Sequence, residues 1–319
     1  MLRLFKTSFS LAAFVLAITS PAFASPTQSG LLPLIPGDAQ IIAGIEDPHN
    51  GQSHGRLLFA THNNNLDFND WLALAGVDSN FGASELIEVA ASSSRGELKE
   101  HLLLVKGSFN RERIFHGAEQ NGAARAEYKG EEILAVSPFP REKGEMTETR
   151  WLAIVDDRIS LFGTPLLVQK ALDRRATHSL PDSRVVERLT ALRSDVNSWN
   201  VLAMPPAMLA RHLDAQQLDA SWRQVLDTID ELAIGIHYEA TTRIDFTAHA
   251  VKDIQPARSV ESSPPQLLPV GLPNAPRIHV DKLTVEGNRA HGSIAIPERQ
   301  LDDWLSALYR AHSTPHGAE

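Results

Sequence analysis

The chain has 319 residues, of which 43% are hydrophobic and 22% are charged, and its formal net charge is −9. This balance is typical of a globular protein with one or two domains, and an acidic surface that repels phosphate argues against nucleic acid as a partner. The chain contains no cysteine, which excludes structural disulfides, cysteine-ligated zinc, thiol catalysis and a lipidated cysteine anchor.

The first 24 residues have the order of a signal peptide. Arg3 and Lys6 precede an apolar stretch, 11–18, that is too short to span a bilayer. The tripeptide ending at Ala24 matches the small-x-small cleavage pattern, so we expect cleavage there and a periplasmic or secreted product. Loss of the two basic residues lowers the net charge to −11. No later stretch is long and apolar enough to predict an integral membrane segment.

The elements after the leader begin with strands. Residues 41–45 and 56–61 are β-prone and predict a strand pair, joined by a polar loop rich in turn formers. A short helix follows at 67–75. Residues 86–91 and 101–106 then predict a hairpin.

The loop between the first two strands holds the only metal-like grouping that the sequence offers. Two imidazoles and a carboxylate could hold zinc or copper. Their spacing matches no tight metal signature, and a solvated connection is the alternative. If an ion binds to this chain, we expect its ligands to be Asp47, His49, His54 and His62.

The middle of the chain alternates helices and hairpins. Asn110 caps a helix that runs to about residue 120. Residues 127–136 form a strand, or a hairpin that turns near Lys129 and Gly130. Residues 138–148 form a polar loop before the next hairpin.

Residues 151–175 show the hairpin-then-helix pattern most clearly. Two β-prone runs, 151–155 and 159–162, flank a polar turn, and Gly163 ends the second run. Thr164 then caps a helix with Pro165 at its first position, where a missing N–H has no cost. The apolar stripe of this helix consists of Leu167, Val168, Ala171 and Leu172.

The last third of the chain predicts another mixture of strands and helices, separated by an ordered, proline-rich loop at 255–276. In chain order the elements are a helix from Asp182 with apolar residues as far as Val196, a strand at 199–203, a long helix from Pro205 to Asp230, a hairpin of 232–238 and 244–248, a hairpin of 277–285 and 290–296, and a closing helix from Pro297 with Leu301, Trp304, Leu305 and Leu308 on one face.

The order of elements recurs along the chain. Strand, helix, hairpin, hairpin and helix fit both 101–175 and 199–312, without residue identity between the two stretches. We therefore predict an α+β fold, with antiparallel sheets and helices packed on one face, as two similar halves. Coincidence is the alternative, because such strings are common. The predicted parts are a signal peptide at 1–24, halves at 25–197 and 198–312, and a flexible tail at 313–319.

Short motifs in the middle of the chain resemble a pattern of exported bacterial proteins that have no assigned function. The matching stretches are Lys106-Gly107-Ser108-Phe109-Asn110, Tyr128-Lys129-Gly130 and the hairpin that ends in Phe162-Gly163. They resemble the family order of G-x-F-[DN] opening a helix, a Y-x-G turn, and a hairpin that ends in glycine before a helix. The resemblance covers residues 40–200 and implies a fold rather than an activity.

The sequence lacks most signatures of common catalytic and nucleotide sites. Residues Gly51-Gln52-Ser53-His54-Gly55 have the G-x-S-x-G spacing, but they lie in the polar loop predicted between two strands, not in the strand-to-helix turn of a nucleophile elbow. The sequence contains no S-x-x-K after the leader, no P-loop and no G-x-G-x-x-G fingerprint. Adjacent carboxylates such as Glu131 and Glu132 point to different sides, which is poor geometry for acid–base work. His237 and His249 lie opposite apolar strand positions, so we expect them at the surface.

Two classes of function remain. We favour a non-enzymatic protein of the bacterial envelope that binds another protein or a small apolar ligand, because the sequence shows no recognisable catalytic site. The alternatives are a hydrolase whose site is assembled from dispersed residues, and a weak metal-binding protein. We expect no cofactor and no nucleic-acid partner.

Overall fold

The computed structural model describes residues 27, 29–46, 84–93, 98–136, 149–192, 196, 198–212, 225–237, 241–253 and 280–297. Several sequence predictions fall outside these residues. They are the signal peptide, the strand at 56–61, the helix at 67–75, the loops at 138–148 and 255–276, the closing helix after Pro297 and the C-terminal tail.

The chain divides into two compact units, with the boundary between Thr190 and Ala191. The sequence places the boundary a few residues later, at 197/198. Each unit consists mainly of antiparallel sheet with a few helices, in keeping with the α+β class.

The N-terminal unit begins with a 3-10 turn, Leu32–Leu34. Its strands and helices follow in chain order. They are β1 (Ile41–Glu46), β2 (Glu85–Ser92), β3 (Leu98–Lys106), α1 (Arg111–Gln120), β4 (Ala124–Tyr128), β5 (Glu131–Val136), β6 (Arg150–Ile154), β7 (Ile159–Gly163), α2 (Pro165–Ala176) and α3 (Ser183–Thr190).

The C-terminal unit has fewer described helices. Its elements are β8 (Ser198–Ala203), α4 (Pro206–His212), β9 (Ile229–His237), β10 (Thr241–Ala250), β11 (Val280–Glu286) and β12 (Arg289–Pro297). The helix predicted from Pro205 to Asp230 is wrong at its end, because strand β9 already begins at Ile229 and pairs there with Ala250.

In both units three strands lie side by side as a meander, and a later hairpin then joins the third of them. We call it a reversed hairpin because its second strand, not its first, lies beside the meander. In the N-terminal unit the order across the sheet is β1-β2-β3-β7-β6-β5-β4. In the C-terminal unit it is β8-β9-β10-β12-β11. The described strand pairs in both units are antiparallel.

The predicted alignment of the two halves does not fit these orders. It makes β3 correspond to β8, with two hairpins following each strand. Across the sheet, however, β3 is followed by the second of its hairpins, β7-β6, whereas β8 is followed by the first of its own, β9-β10. Strand β1 pairs with β2 along Ile41–Glu46, so its described hairpin partner is not the predicted segment 56–61.

Local signals account for most of the elements in the N-terminal unit. The side chain of Asn110 accepts a hydrogen bond of 3.0 Å from the backbone N–H of Arg113, which caps α1 as predicted. Thr164 holds the cap position of α2 but makes no capping hydrogen bond with its side chain. Its hydroxyl lies 3.4 Å from the carbonyl oxygen of His101 instead, which ties the start of α2 to β3.

Helices cover both faces of the N-terminal sheet. Phe115 of α1 packs in an apolar cluster with Leu103 and Val105 of β3. Since successive strand residues point to opposite faces, Leu102 and Leu104 lie on the other face, where both are buried. Helix α2 contacts β3, β6 and β7. Its predicted stripe is buried and does not belong to the α1 cluster, so we place α2 on that second face. The predicted packing of helices on one face is therefore wrong for this unit.

Candidate functional site

The four residues predicted as metal ligands lie outside the described part of the chain. Asp47, His49, His54 and His62 therefore receive no structural placement. Among the residues that the structure does describe, no group of three or more histidine, aspartate, glutamate or cysteine side chains has the geometry of a metal site.

Two adjoining depressions surround the C-terminal end of α2 in the N-terminal unit. The first has a volume of about 320 Å³ and lies between α2, the segment around Pro33 and the turn between β6 and β7. The second has a volume of about 430 Å³ and lies between α2 and the tip of the β4–β5 hairpin. Arg175 and His178 line both depressions, so we treat the pair as one site and call it the α2 cleft.

The end of α2 fixes His178 in an unusual backbone conformation. The N–H of His178 donates to the carbonyl oxygen of Arg175, and the N–H of Ser179 donates to that of Arg174. Both donor–acceptor distances are 2.9 Å. These two bonds form a Schellman motif, whose residue in the left-handed region is usually glycine. Here that residue is His178, with φ at 48°. The sequence thus places an imidazole where a glycine would be less strained.

The tip of the β4–β5 hairpin forms the opposite wall of the larger depression. Lys129 and Gly130 have φ values of 51° and 86°, the double positive φ of a type I′ turn. Asp173 of α2 holds this tip. Its carboxylate lies 2.7 Å from Lys129 Nζ and accepts a hydrogen bond of 3.1 Å from the hydroxyl of Tyr128.

The contacts of Asp173 stabilise charged forms. The hydrogen bond from Lys129 holds the pKa of Asp173 below its ordinary value, and the same bond raises the pKa of Lys129. Both groups therefore stay ionised across the physiological range.

The two arginines at the end of α2 differ in how they are held. Arg174 donates to the carbonyl oxygens of Pro33 and Leu180, at 2.7 and 2.6 Å, and joins α2 to the segments beside it. Among the described residues, the Arg175 side chain makes a single ion-pair contact of 3.7 Å, from Nη2 to Asp156. Its buried Nη1 has no hydrogen-bond partner among those residues. The side chain as a whole is 34% exposed, so the cleft contains a guanidinium with unused donors.

Asp156 is committed to the turn between β6 and β7. Its Oδ1 accepts hydrogen bonds from the backbone N–H groups of Arg158 and Ile159, at 2.8 and 2.9 Å. Such an aspartate stabilises the turn that the sequence predicts at this position. This leaves Arg175 with a distant carboxylate rather than a bidentate partner.

A histidine–carboxylate contact occurs in the C-terminal unit. His249 Nδ1 lies 2.8 Å from Asp230 Oδ1, and its Nε2 lies 2.9 Å from the side-chain nitrogen of Asn288. A general base needs its second nitrogen open towards a nucleophile. Here an amide occupies it, and the three side chains join β9, β10 and the turn between β11 and β12. His237, which the sequence places at the surface, is buried with 5% exposure.

Sequence reasoning missed the α2 cleft because its residues are ordinary where they stand in the chain. Lys129 and Gly130 were predicted as a turn, and Arg174 and Arg175 are favoured in the last turn of any helix. One signal was available: His178 follows a helix at a position where glycine is expected.

Comparisons with known proteins leave the family open. No family model matches the chain, and the comparison with curated proteins found no match. Among solved structures, crystal form I of TP0453 is similar, with a TM-score of 0.49 and 14% sequence identity. The match covers 91% of this chain and 100% of that one. A likeness of this degree assigns no function. In the described part of the chain, no helix combines the length and apolarity needed to cross a bilayer.

Proposed function

We propose that this chain is an exported, non-enzymatic binding protein of the bacterial envelope, with the α2 cleft as its binding site. The observation that carries the proposal is the free donor capacity of Arg175 at the junction of two depressions. The volumes, about 320 and 430 Å³, lie in the range of small-molecule pockets. Export rests on the leader at 1–24.

Binding fits the electrostatics of the cleft better than catalysis does. A general acid or base works best when its pKa lies near the working pH. Asp173 and Lys129 are shifted the other way, each towards its charged form, by their mutual hydrogen bond. The cleft therefore offers fixed charges for recognition, which argues for the binding class over the dispersed hydrolase.

The internal duplication is proposed here in a shifted alignment. Strands β1-β2-β3 and then β7-β6 would correspond to β8-β9-β10 and then β12-β11. One observation supports it: both meanders continue into a hairpin whose second strand joins the third meander strand. In this alignment α1, β4 and β5 are an insertion between β3 and β6.

Native mass spectrometry of the protein isolated from its own envelope tests the binding function. Ala176 is exposed and lines the larger depression, so Ala176→Trp should fill it without disturbing the core. We expect a small molecule to accompany the wild-type protein and to be lost from this variant. Glu187→Trp, at an exposed helix position away from the cleft, is the matched control and should keep it. Equal loading of all three proteins, or no ligand on the wild type, contradicts the proposal.

A further inference from the structure

The α2 cleft contains two side chains that contribute little to the fold around them. His178 holds a left-handed conformation at a position that favours glycine, and strain of this kind concentrates at functional sites. Arg175 has a buried Nη1 without an acceptor and an Nη2 only within ion-pair distance of Asp156. Both line the two depressions, so strain and unused donors occur at one place.

The described residues around the cleft provide no acceptor for the remaining N–H donors of the Arg175 guanidinium. A carboxylate matches its planar fork with two parallel hydrogen bonds. Within the described part of the chain no hydrogen bond fixes the Arg175 side chain, so a rotation suffices to turn its donors towards a ligand. The imidazole of His178 can donate a further hydrogen bond from its N–H.

The other charges around the cleft favour a singly charged group. Asp156 and Glu131 line the two depressions, and the C-terminal end of α2 carries the negative end of its dipole. A doubly charged phosphate would meet this negative field. Asp173 is neutralised by Lys129, and Glu131 lies 3.7 Å from Arg111. A singly charged carboxylate would meet less repulsion than a doubly charged phosphate.

The remaining walls are apolar enough for the body of such a ligand. Pro33, Leu34 and Ile159 line the smaller depression. Leu172 and Ala176 line the larger one. Apolar walls with a few fixed polar groups are typical of small-molecule sites.

We propose that the α2 cleft binds a small organic carboxylate, with its carboxylate on Arg175 and His178 and its apolar body against the adjoining wall. The proposal rests on the binding function proposed above and specifies its ligand class. Arg175 supplies the paired donors, and His178 closes the site from the end of the helix. The cleft would thus discriminate by charge and by planarity of the head group.

Three benzene derivatives of similar size, together with inorganic phosphate, separate the ligand class from binding in general. Benzoate, benzamide, benzylammonium and inorganic phosphate are titrated into the mature protein, and the NMR shifts of Arg175 Nε–Hε and the His178 ring are followed. We expect benzoate to bind and to shift both signals. Arg175→Gln should weaken benzoate about tenfold or more, because a charge-assisted pair is lost. Arg175→Lys keeps the charge without the fork and should also weaken it.

His178→Gly distinguishes a functional imidazole from a structural one. It should weaken benzoate while leaving the protein folded, since glycine suits this backbone. His178→Asn, which tolerates the same conformation, keeps a donor and should retain part of the binding.

Each result decides between the proposals. Preference for benzamide, benzylammonium or phosphate overturns the carboxylate assignment and leaves the binding function standing. Benzoate binding that is equal in wild type, Arg175→Gln and His178→Gly overturns the assignment as well. Failure of every probe, together with an unloaded protein from the envelope, overturns both.

Discussion

The two units share a strand order and differ in what lies within it. In the N-terminal unit the chain leaves the meander at β3, forms α1, β4 and β5, and only then adds the hairpin β6–β7. In the C-terminal unit β10 is followed across the sheet by β12 and β11, without an intervening described element. In the shifted alignment proposed above, the shared strands form a common scaffold, and α1, β4 and β5 are an addition to it.

In this alignment the α2 cleft would lie where scaffold and addition meet. Tyr128, Lys129 and Glu131 belong to the β4–β5 hairpin, whereas Arg175 lies in α2 and His178 just after its end. Function carried by parts placed on a common fold is a general pattern. If the comparison is right, changes in the addition should affect the cleft more than changes in the meander do.

The largest expected effect comes from the contact that packs the addition onto the sheet. Phe115 of α1 is fully buried in the cluster with Leu103 and Phe162. Phe115→Ala should cost about 3–5 kcal/mol of stability, measured by urea unfolding, because it leaves a cavity. His116→Ala, at the exposed neighbouring position, is the control and should cost about 0.5 kcal/mol or less. A small loss at Phe115 would mean that α1 is not anchored by this cluster.

A pair of glycines sharpens the correspondence between the reversed hairpins. Gly163 of β7 and Gly292 of β12 lie opposite Leu102 and Phe246 on the third meander strands. A methyl group on Gly163 would meet backbone atoms of His101 and Leu102, whereas one on Gly292 would meet the tip of the Phe246 ring.

Backbone atoms cannot move aside as easily as the end of a phenyl ring can. The two substitutions should therefore differ in how much stability they cost. Gly163→Ala should cost about 1–3 kcal/mol, and Gly292→Ala should cost less because the ring rotates away. Thermal unfolding of both variants measures the difference. A larger loss for Gly292→Ala would show that the two positions are not packed as described.

A smaller effect of opposite sign is expected at the end of α2. His178→Gly should raise stability by about 1 kcal/mol, because glycine adopts positive φ without the clash of a Cβ. Chemical denaturation measures the gain. Gly122, which also has positive φ after α1, provides the reverse comparison, since Gly122→Ala should destabilise. A loss at His178→Gly would indicate that the imidazole stabilises the fold.

The smallest effect concerns pH and the bond between the addition and α2. Lys129 lowers the pKa of Asp173, so this stabilisation is present above the unfolded pKa of about 3.9 and is lost as pH falls through the folded value. Asp173→Asn should therefore flatten the decline of the urea midpoint below pH 4. The effect is small because the pair is solvent-exposed. Asp157→Asn, at an exposed turn position, serves as the control, and an unchanged slope in both would contradict the prediction.

The local elements were predictable because their signals are local. The hairpin of β6 and β7 and the helix α2 follow from a polar turn, a glycine, Pro165 and an apolar stripe that is buried as predicted. The pairing of β7 with β3 was not predictable in this way, since it joins segments about sixty residues apart and no local pattern encodes it.

The sequence contains a signal that both faces of the N-terminal sheet are covered, but almost none for the α2 cleft. The run from Leu102 to Val105 is apolar at every position, which is typical of a strand buried on both faces. The prediction of helices on one face disregarded it. The α2 cleft depends on where a hairpin tip meets a helix end, and only the missing glycine at His178 marks it in the sequence.

The bond between Asp173 and the hairpin tip has a consequence for kinetics. It joins residues more than forty positions apart, and it can form only after the hairpin and α2 have both docked on the sheet. We therefore expect it to form late, beyond the folding transition state, which a φ-value near zero would show. Loss of Asp173 should then leave the folding rate nearly unchanged and accelerate unfolding, so the carboxylate governs how long the native state persists rather than how quickly it is reached.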